Sequence, residues 1–349
     1  MRLLLIGFLA AASSLALAQA PEKIQLKTDD VHFEMLAGIG ARATHLSLPG
    51  KENFFRVNQD LLQRHSAPQV DVKGYNLPYF GHEVWLGPQS AWWKQQNLNE
   101  ARNKAGAVWP PDPYLVLAPY EVVVRDEKQV QLRGPESPVS GVRMSKTYSL
   151  ASDQPGTIVA SASVENIRQQ PVSWGLWFNS RVHSDTQIYV PVSSADAVRV
   201  VEFPGPNSTV PDYTLTSGLF ALSLTPPGEG FNRRHGKIFI HPSAGWLAGF
   251  RGDQLLIIHF DLQPRELIHP EQGQIELYHD YYPEKPEEGV LELEVHFPYG
   301  QINPGEMRHG REKWTLVAYS GENTASAQRK FLCEQLKALS LDASVCADN

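Results

Sequence analysis

The chain has 349 residues, a formal net charge of −7, 42% hydrophobic residues and two cysteines. The acidic balance argues against a nucleic-acid partner, which requires a basic face. The hydrophobic share is enough for a full core, and the charge is spread without long blocks of one sign.

In chain order, the first element is an export signal. Arg2 supplies a short positive start, and residues 3–12 form an apolar run too short to span a bilayer. Ala16-Leu17-Ala18 offers a small-x-small cleavage site. The reading is residues 1–18 as signal peptide, with the remainder periplasmic or secreted; an uncleaved anchor is the alternative. No later run approaches a membrane span.

Residues 79–114 come next and hold four of the eight tryptophans: Trp85, Trp92, Trp93 and Trp109. His82 and Glu83 lie among them. Flat apolar rings beside ionisable groups suit a sugar, which has C–H faces and a rim of hydroxyls. A plain core segment is the competing reading. Within it, residues 89–104 read as a short helix or an irregular insertion.

Strand signals dominate the rest. Residues 120–124, 129–132, 157–164, 198–203, 255–262, 274–279 and 289–297 are β-rich runs separated by Pro/Gly/Asn clusters. Leu291-Glu292-Leu293-Glu294-Val295 alternates with period two. Many short strands and few helical periods indicate an all-β sandwich or barrel. Residues 326–340 carry Leu332, Leu336 and Leu339 at helical spacing. Cys333 and Cys346 read as a local disulfide over this last helix.

Three stretches together resemble the galactose mutarotase-like (aldose 1-epimerase-like) superfamily and, within it, the DUF4380 group. Gly40-Ala41-Arg42 with His45 to Asn53 is similar to the opening strands, where an arginine faces the sugar. Gly81-His82-Glu83-Val84-Trp85 is similar to the place of a first active-site histidine. Asn303-Pro304-Gly305-Glu306, leading to Trp314, is similar to a late segment whose glutamate acts as catalytic base. The resemblance implies a β-supersandwich with a sugar site on a concave face. It implies one such domain over residues 19–325, followed by a C-terminal helix and tail over 326–349. At Ser173-Trp174-Gly175-Leu176-Trp177-Phe178-Asn179 the chain departs from the pattern, since the second histidine of epimerases is absent.

The candidate catalytic pair is therefore Glu306 as base and His82 as acid, each with a plain reading as a turn glutamate or a core histidine. Strand alternation makes Glu83 the lesser candidate, because it faces away from His82. Arg42, Trp109, Trp177 and Arg181 are the candidate ligand-binding residues. Asp112, in Trp-Pro-Pro-Asp-Pro, reads as a turn cap. No cofactor or metal is expected, since no GxSxG, HExxH, P-loop or GxGxxG run occurs. The expected partner is a mono- or oligosaccharide. The expected function is carbohydrate binding, with an aldose 1-epimerase-type isomerase or a non-catalytic envelope protein as alternatives.

Overall fold

The computed structural model describes residues 22–64 and 67–347. The expected signal peptide, residues 1–18, lies outside the described residues. Two large, almost wholly antiparallel sheets face each other across one core. The first runs in the order Lys23–Lys27, His32–Leu36, Arg42–Ser47, His82–Gly87, Val172–Val182, Val290–His296, Ile275–Tyr281, Arg233–Ile240, Val198–Glu202. The second runs Tyr213–Thr216, Leu219–Leu222, Gln187–Pro191, Trp246–Arg251, Gln254–Phe260, Met307–Ala318, Thr157–Asn166, Val142–Leu150, Gln129–Glu136, Glu121–Arg125.

Alternation sets which side chains enter the core. Thr157–Asn166 buries every second residue and leaves the others half-exposed, as a strand with one wet face does. Val172–Val182 differs: nearly all of its residues are buried. One face of that strand lies in the core between the sheets, and the other is covered as well. Phe33, Phe55, Tyr148, Phe178 and Trp314 fill the space between the sheets. Each such buried side chain contributes on the order of 1.5–3 kcal/mol relative to exposure.

The tryptophan-rich insertion is irregular. It holds one 3-10 turn at Gln89–Ala91 and two short helices, Glu100–Lys104 and Pro113–Val116. Asp112 caps the second of these, its carboxylate accepting from the Tyr114 backbone N–H at 2.9 Å. The insertion docks where Gly40 has φ +62°, and a Cβ there would lie 2.4 Å from the Val116 carbonyl oxygen. Only glycine meets both demands.

The C-terminal helix spans Ala325–Ala338 and starts on Thr324, whose hydroxyl accepts from Ala327 N. Leu332 and Leu336 pack on the outer face of the second sheet against Tyr189, Phe250 and Ile257. Cys333 and Cys346 form a disulfide that ties the tail to this helix. Among the described residues, no helix is long and apolar enough to cross a membrane.

Candidate functional site

The outer face of the first sheet is where the ionisable groups gather. Cross-strand partners share a face. Glu83 lies opposite Asn179, and Trp85 opposite Trp177. Asn179 in turn pairs with Glu294, Arg181 with Glu292, and Trp177 with His296. Glu294 faces Glu276, and Glu292 faces Tyr278. Tyr278 pairs with Lys237. A polar layer thus crosses five adjacent strands.

It is joined by ion pairs. Glu83 bridges Arg42 and Arg181. Arg181 Nε donates to Glu292 at 2.7 Å, and Asn179 Nδ2 donates to Glu292 at 3.0 Å. Lys237 Nζ lies 2.9 Å from Glu276 and 3.1 Å from Glu294. Gln272 Nε2 meets His296 Nδ1 at 2.8 Å. With the amide as donor, Nδ1 accepts and the proton sits on Nε2. Nε2 faces Glu276 Oε1 at 3.2 Å, with neither atom in a well-formed hydrogen bond.

Four carboxyls, Glu83, Glu276, Glu292 and Glu294, face three cations, Arg42, Arg181 and Lys237. One carboxyl is left without a full counter-charge, and the pKa shifts identify it as Glu294. Burial, helped by Glu276 and Glu292 against Lys237, pushes Glu294 well above the usual carboxylate range. Burial also opposes ionisation of Glu276, but Lys237 and His296 outweigh it and bring that group to about 2. For Glu83, burial is overcome by Arg42 and Arg181, and its pKa falls. Glu276, Glu294 and His296 lie close enough together to hold a metal ion. Lys237 already supplies the positive charge between the two carboxyls.

Tryptophans cover one end of this layer. Trp85 packs edge-on against Trp177 at 4.9 Å, Trp92 at 5.5 Å and Trp109 at 5.9 Å. Arg181 lies over the Trp85 ring at 4.7 Å, and Lys237 Nζ over the Trp177 ring at 4.9 Å. Trp92 and Trp93 are buried, and Trp109 is 48% exposed. At the other end Lys237 and Glu292 are less completely covered, with side-chain exposures of 12% and 14%.

The structure brings together Arg42, Trp109, Trp177 and Arg181 and separates the expected catalytic pair. Alternation on His82–Gly87 holds, but the faces are the reverse of the expectation. Glu83 points to the polar layer, and His82 points between the sheets. There His82 Nδ1 meets Ser180 Oγ at 2.9 Å and the ring packs on Trp314 at 4.5 Å. Glu306 is exposed at a turn and accepts from the Asn303 backbone N–H at 2.8 Å. It sits eight residues before Trp314, roughly 26 Å along an extended chain. The pair cannot act on one substrate. Arg42 and Arg181 are buried and committed to protein partners; Arg42 also donates to the Phe80 and Val116 carbonyls. Neither guanidinium is presented to a ligand. Trp177 is likewise buried, which leaves Trp109 as the accessible member of the four.

Sequence reasoning did not select Lys237, Glu276, Glu294 or His296. For Glu294 and His296 the signal was the period-two run ending in Glu292-Leu293-Glu294-Val295-His296, a strand with one aliphatic and one charged face.

A family model described as a domain of unknown function, DUF4380, matches residues 21–317. The chain belongs to the DUF4380 family. A search of curated proteins finds no sequence match. Among solved structures, the Slr1438 protein of Synechocystis aligns with a TM-score of 0.55 at 13% identity, over 90% of this chain and 99% of that one. A candidate aldose 1-epimerase from Klebsiella pneumoniae aligns with a TM-score of 0.51 at 12% identity, over 87% and 81%. A galactose mutarotase-like protein from Lactobacillus casei gives 0.49 at 11%, over 85% and 100%. At these identities the first two likenesses are of fold alone, a large antiparallel β-sandwich.

Proposed function

We propose that this DUF4380 protein is an exported carbohydrate-binding protein whose ligand lies on the open part of the outer face of the first sheet. The observation that carries the reading is the exposed Trp109 ring at one end of the polar layer, with fixed donors and acceptors at Glu292 and Lys237 toward the other end. An indole stacks on the C–H face of a sugar, and paired charges offer hydrogen bonds to its hydroxyls. Because the floor charges are already paired, a neutral ligand fits better than an ion. The N-terminal signal pattern and the Cys333–Cys346 disulfide support export, since disulfides persist in oxidising compartments. The test is a thermal-shift panel of mono- and oligosaccharides. A bound sugar raises Tm by mass action, and Trp109→Ala removes the shift. No response across a broad panel overturns the reading and favours a structural envelope role.

One observation favours a second reading, an aldose 1-epimerase-type isomerase. Glu276 and Glu294 share Lys237 yet are driven to opposite protonation states. Such a split pair supplies an ionised carboxylate, Glu276, next to a protonated one, Glu294, the two forms that an acid–base pair requires, although a carboxylate held at about 2 is a weak base. The base would take the proton of the anomeric hydroxyl while the acid protonates the ring oxygen. Both carboxyls are covered, which ranks this reading below binding. Polarimetry with fresh α-D-glucose and α-D-galactose decides. Equilibration accelerated by the protein and lost in Glu276→Gln and Glu294→Gln establishes the isomerase; an unchanged rate removes it.

A further inference from the structure

On the same outer face, at the far side from Trp109, three half-buried aromatic side chains form a second cluster: Phe203, His235 and Tyr278. The Phe203 ring lies 5.9 Å from Tyr278 and 5.5 Å from His235. Its position is fixed by the sheet, because Phe203 N donates to the His235 carbonyl at 3.1 Å.

The hydrogen bonds of this cluster have one consistent direction. His235 Nδ1 stands 3.0 Å from the Phe203 carbonyl oxygen, which can only accept, so Nδ1 carries the proton. His235 Nε2 is then bare and accepts from the Tyr278 hydroxyl at 3.0 Å. With its proton committed, the Tyr278 oxygen presents only lone pairs outward. It is a fixed acceptor for an alcohol donor, next to a ring face. Tyr278 stands in register between Glu292 and Lys237, so the cluster continues the floor described above.

The spacing sets the ligand's length. Trp85, against which Trp109 packs, lies three strands from Tyr278. It is in register with Trp177 and His296, and His296 N bonds the Gln274 carbonyl, four residues before Tyr278. Three strand spacings across and four residues along give a diagonal on the order of 20 Å. One pyranose ring cannot touch both ends.

We infer that Phe203, His235 and Tyr278 form a second sugar subsite and that the ligand is a neutral oligosaccharide reaching from Trp109 to Phe203. This rests on the carbohydrate-binding reading and goes further by assigning a length. The test is a glycan array of matched mono-, di- and tetrasaccharides, read with the wild-type protein, Phe203→Ala, Phe203→Tyr and Tyr278→Phe. Each variant's Tm is measured alongside to confirm that it is folded. Tetrasaccharides should bind at least about tenfold more tightly than monosaccharides, the scale of one aromatic contact. Phe203→Ala should abolish that length preference, Phe203→Tyr should retain it, and Tyr278→Phe should reduce it. Equal binding of mono- and tetrasaccharides, or a folded Phe203→Ala with its preference intact, overturns the second subsite while leaving sugar binding in place. Absence of binding by every glycan overturns both.

Discussion

Glu83 shows how a residue's role depends on the side of the strand it occupies. Its carboxylate is the shared counterion of Arg42 and Arg181, and all three side chains are almost fully buried. Glu83→Gln should therefore cost about 3–5 kcal/mol, because it leaves the buried Arg42 without a counter-charge and Arg181 with Glu292 alone. Urea unfolding measures this, and a loss under 1 kcal/mol would show that the network is dispensable. Glu312 is the opposite case. It is buried with one partner, the Trp314 indole N–H at 2.6 Å, and burial pushes its pKa to about 8. A carboxyl raised in the folded state contributes stability that is complete below the unfolded value near 4.5 and is lost as pH rises toward 8. Glu312→Gln keeps an acceptor for Trp314 and removes the titration. We expect it to gain about 2 kcal/mol or more over wild type at pH 8 and little at pH 4. Equal stability differences at the two pH values would refute that assignment.

At the scale of elements, the C-terminal helix and the tryptophan insertion are attached by different means. The helix presents Leu332 and Leu336 to the second sheet, and its tail is held by a disulfide closing 13 residues. Cys346→Ser should lower stability by roughly 3 kcal/mol in the chain-entropy account. Hydrogen exchange should quicken in Ala325–Ala338 and stay unchanged in Val172–Val182, which lies in the other sheet. Faster exchange in both would mean that the two elements unfold together. The insertion instead relies on polar anchors. Asp112 accepts from the Ser137 hydroxyl and from the Ser140 backbone N–H at 3.3 Å, and Ser90 Oγ donates to Glu271 at 2.8 Å. It had no helical or strand period to read, and its structure is correspondingly irregular.

For the whole molecule, the buried charge layer sets the acid limit. Glu276 at about 2, with Glu83 and Glu292 also lowered, contributes stability present above the unfolded carboxylate value and lost as pH falls toward 2. Lys146, buried and lowered from 10.5 to about 7, acts in the same direction: its contribution is complete above 10.5 and is lost as pH falls from there to about 7. We expect Tm to drop steeply between about pH 5 and 2. Lys146→Met should weaken the dependence between about pH 10 and 7; a flat wild-type profile over both ranges would contradict these assignments. The β-rich runs and the last helix were legible because local periodicity and turn residues specify them, the disulfide because two cysteines stand close together in the tail, and the family through the resemblance of its motifs. Alternation along Gly81-His82-Glu83 and along residues 291–296 was legible too. Which alternating face would meet the opposite sheet was not, because that depends on pairing partners such as Ser180 and Asn179, far away in the chain. Glu306 looked like a partner of His82 through the family resemblance, while Lys237, Glu276 and His296 went unselected because the charged face of their strands could not be told from the core face. Sequence by itself determined the strands, their two-sided character and the sandwich they build. Only the tertiary structure decided which face became the core, which carried the charges and which stayed open, because burial is a property of the packed sheets and not of any one strand.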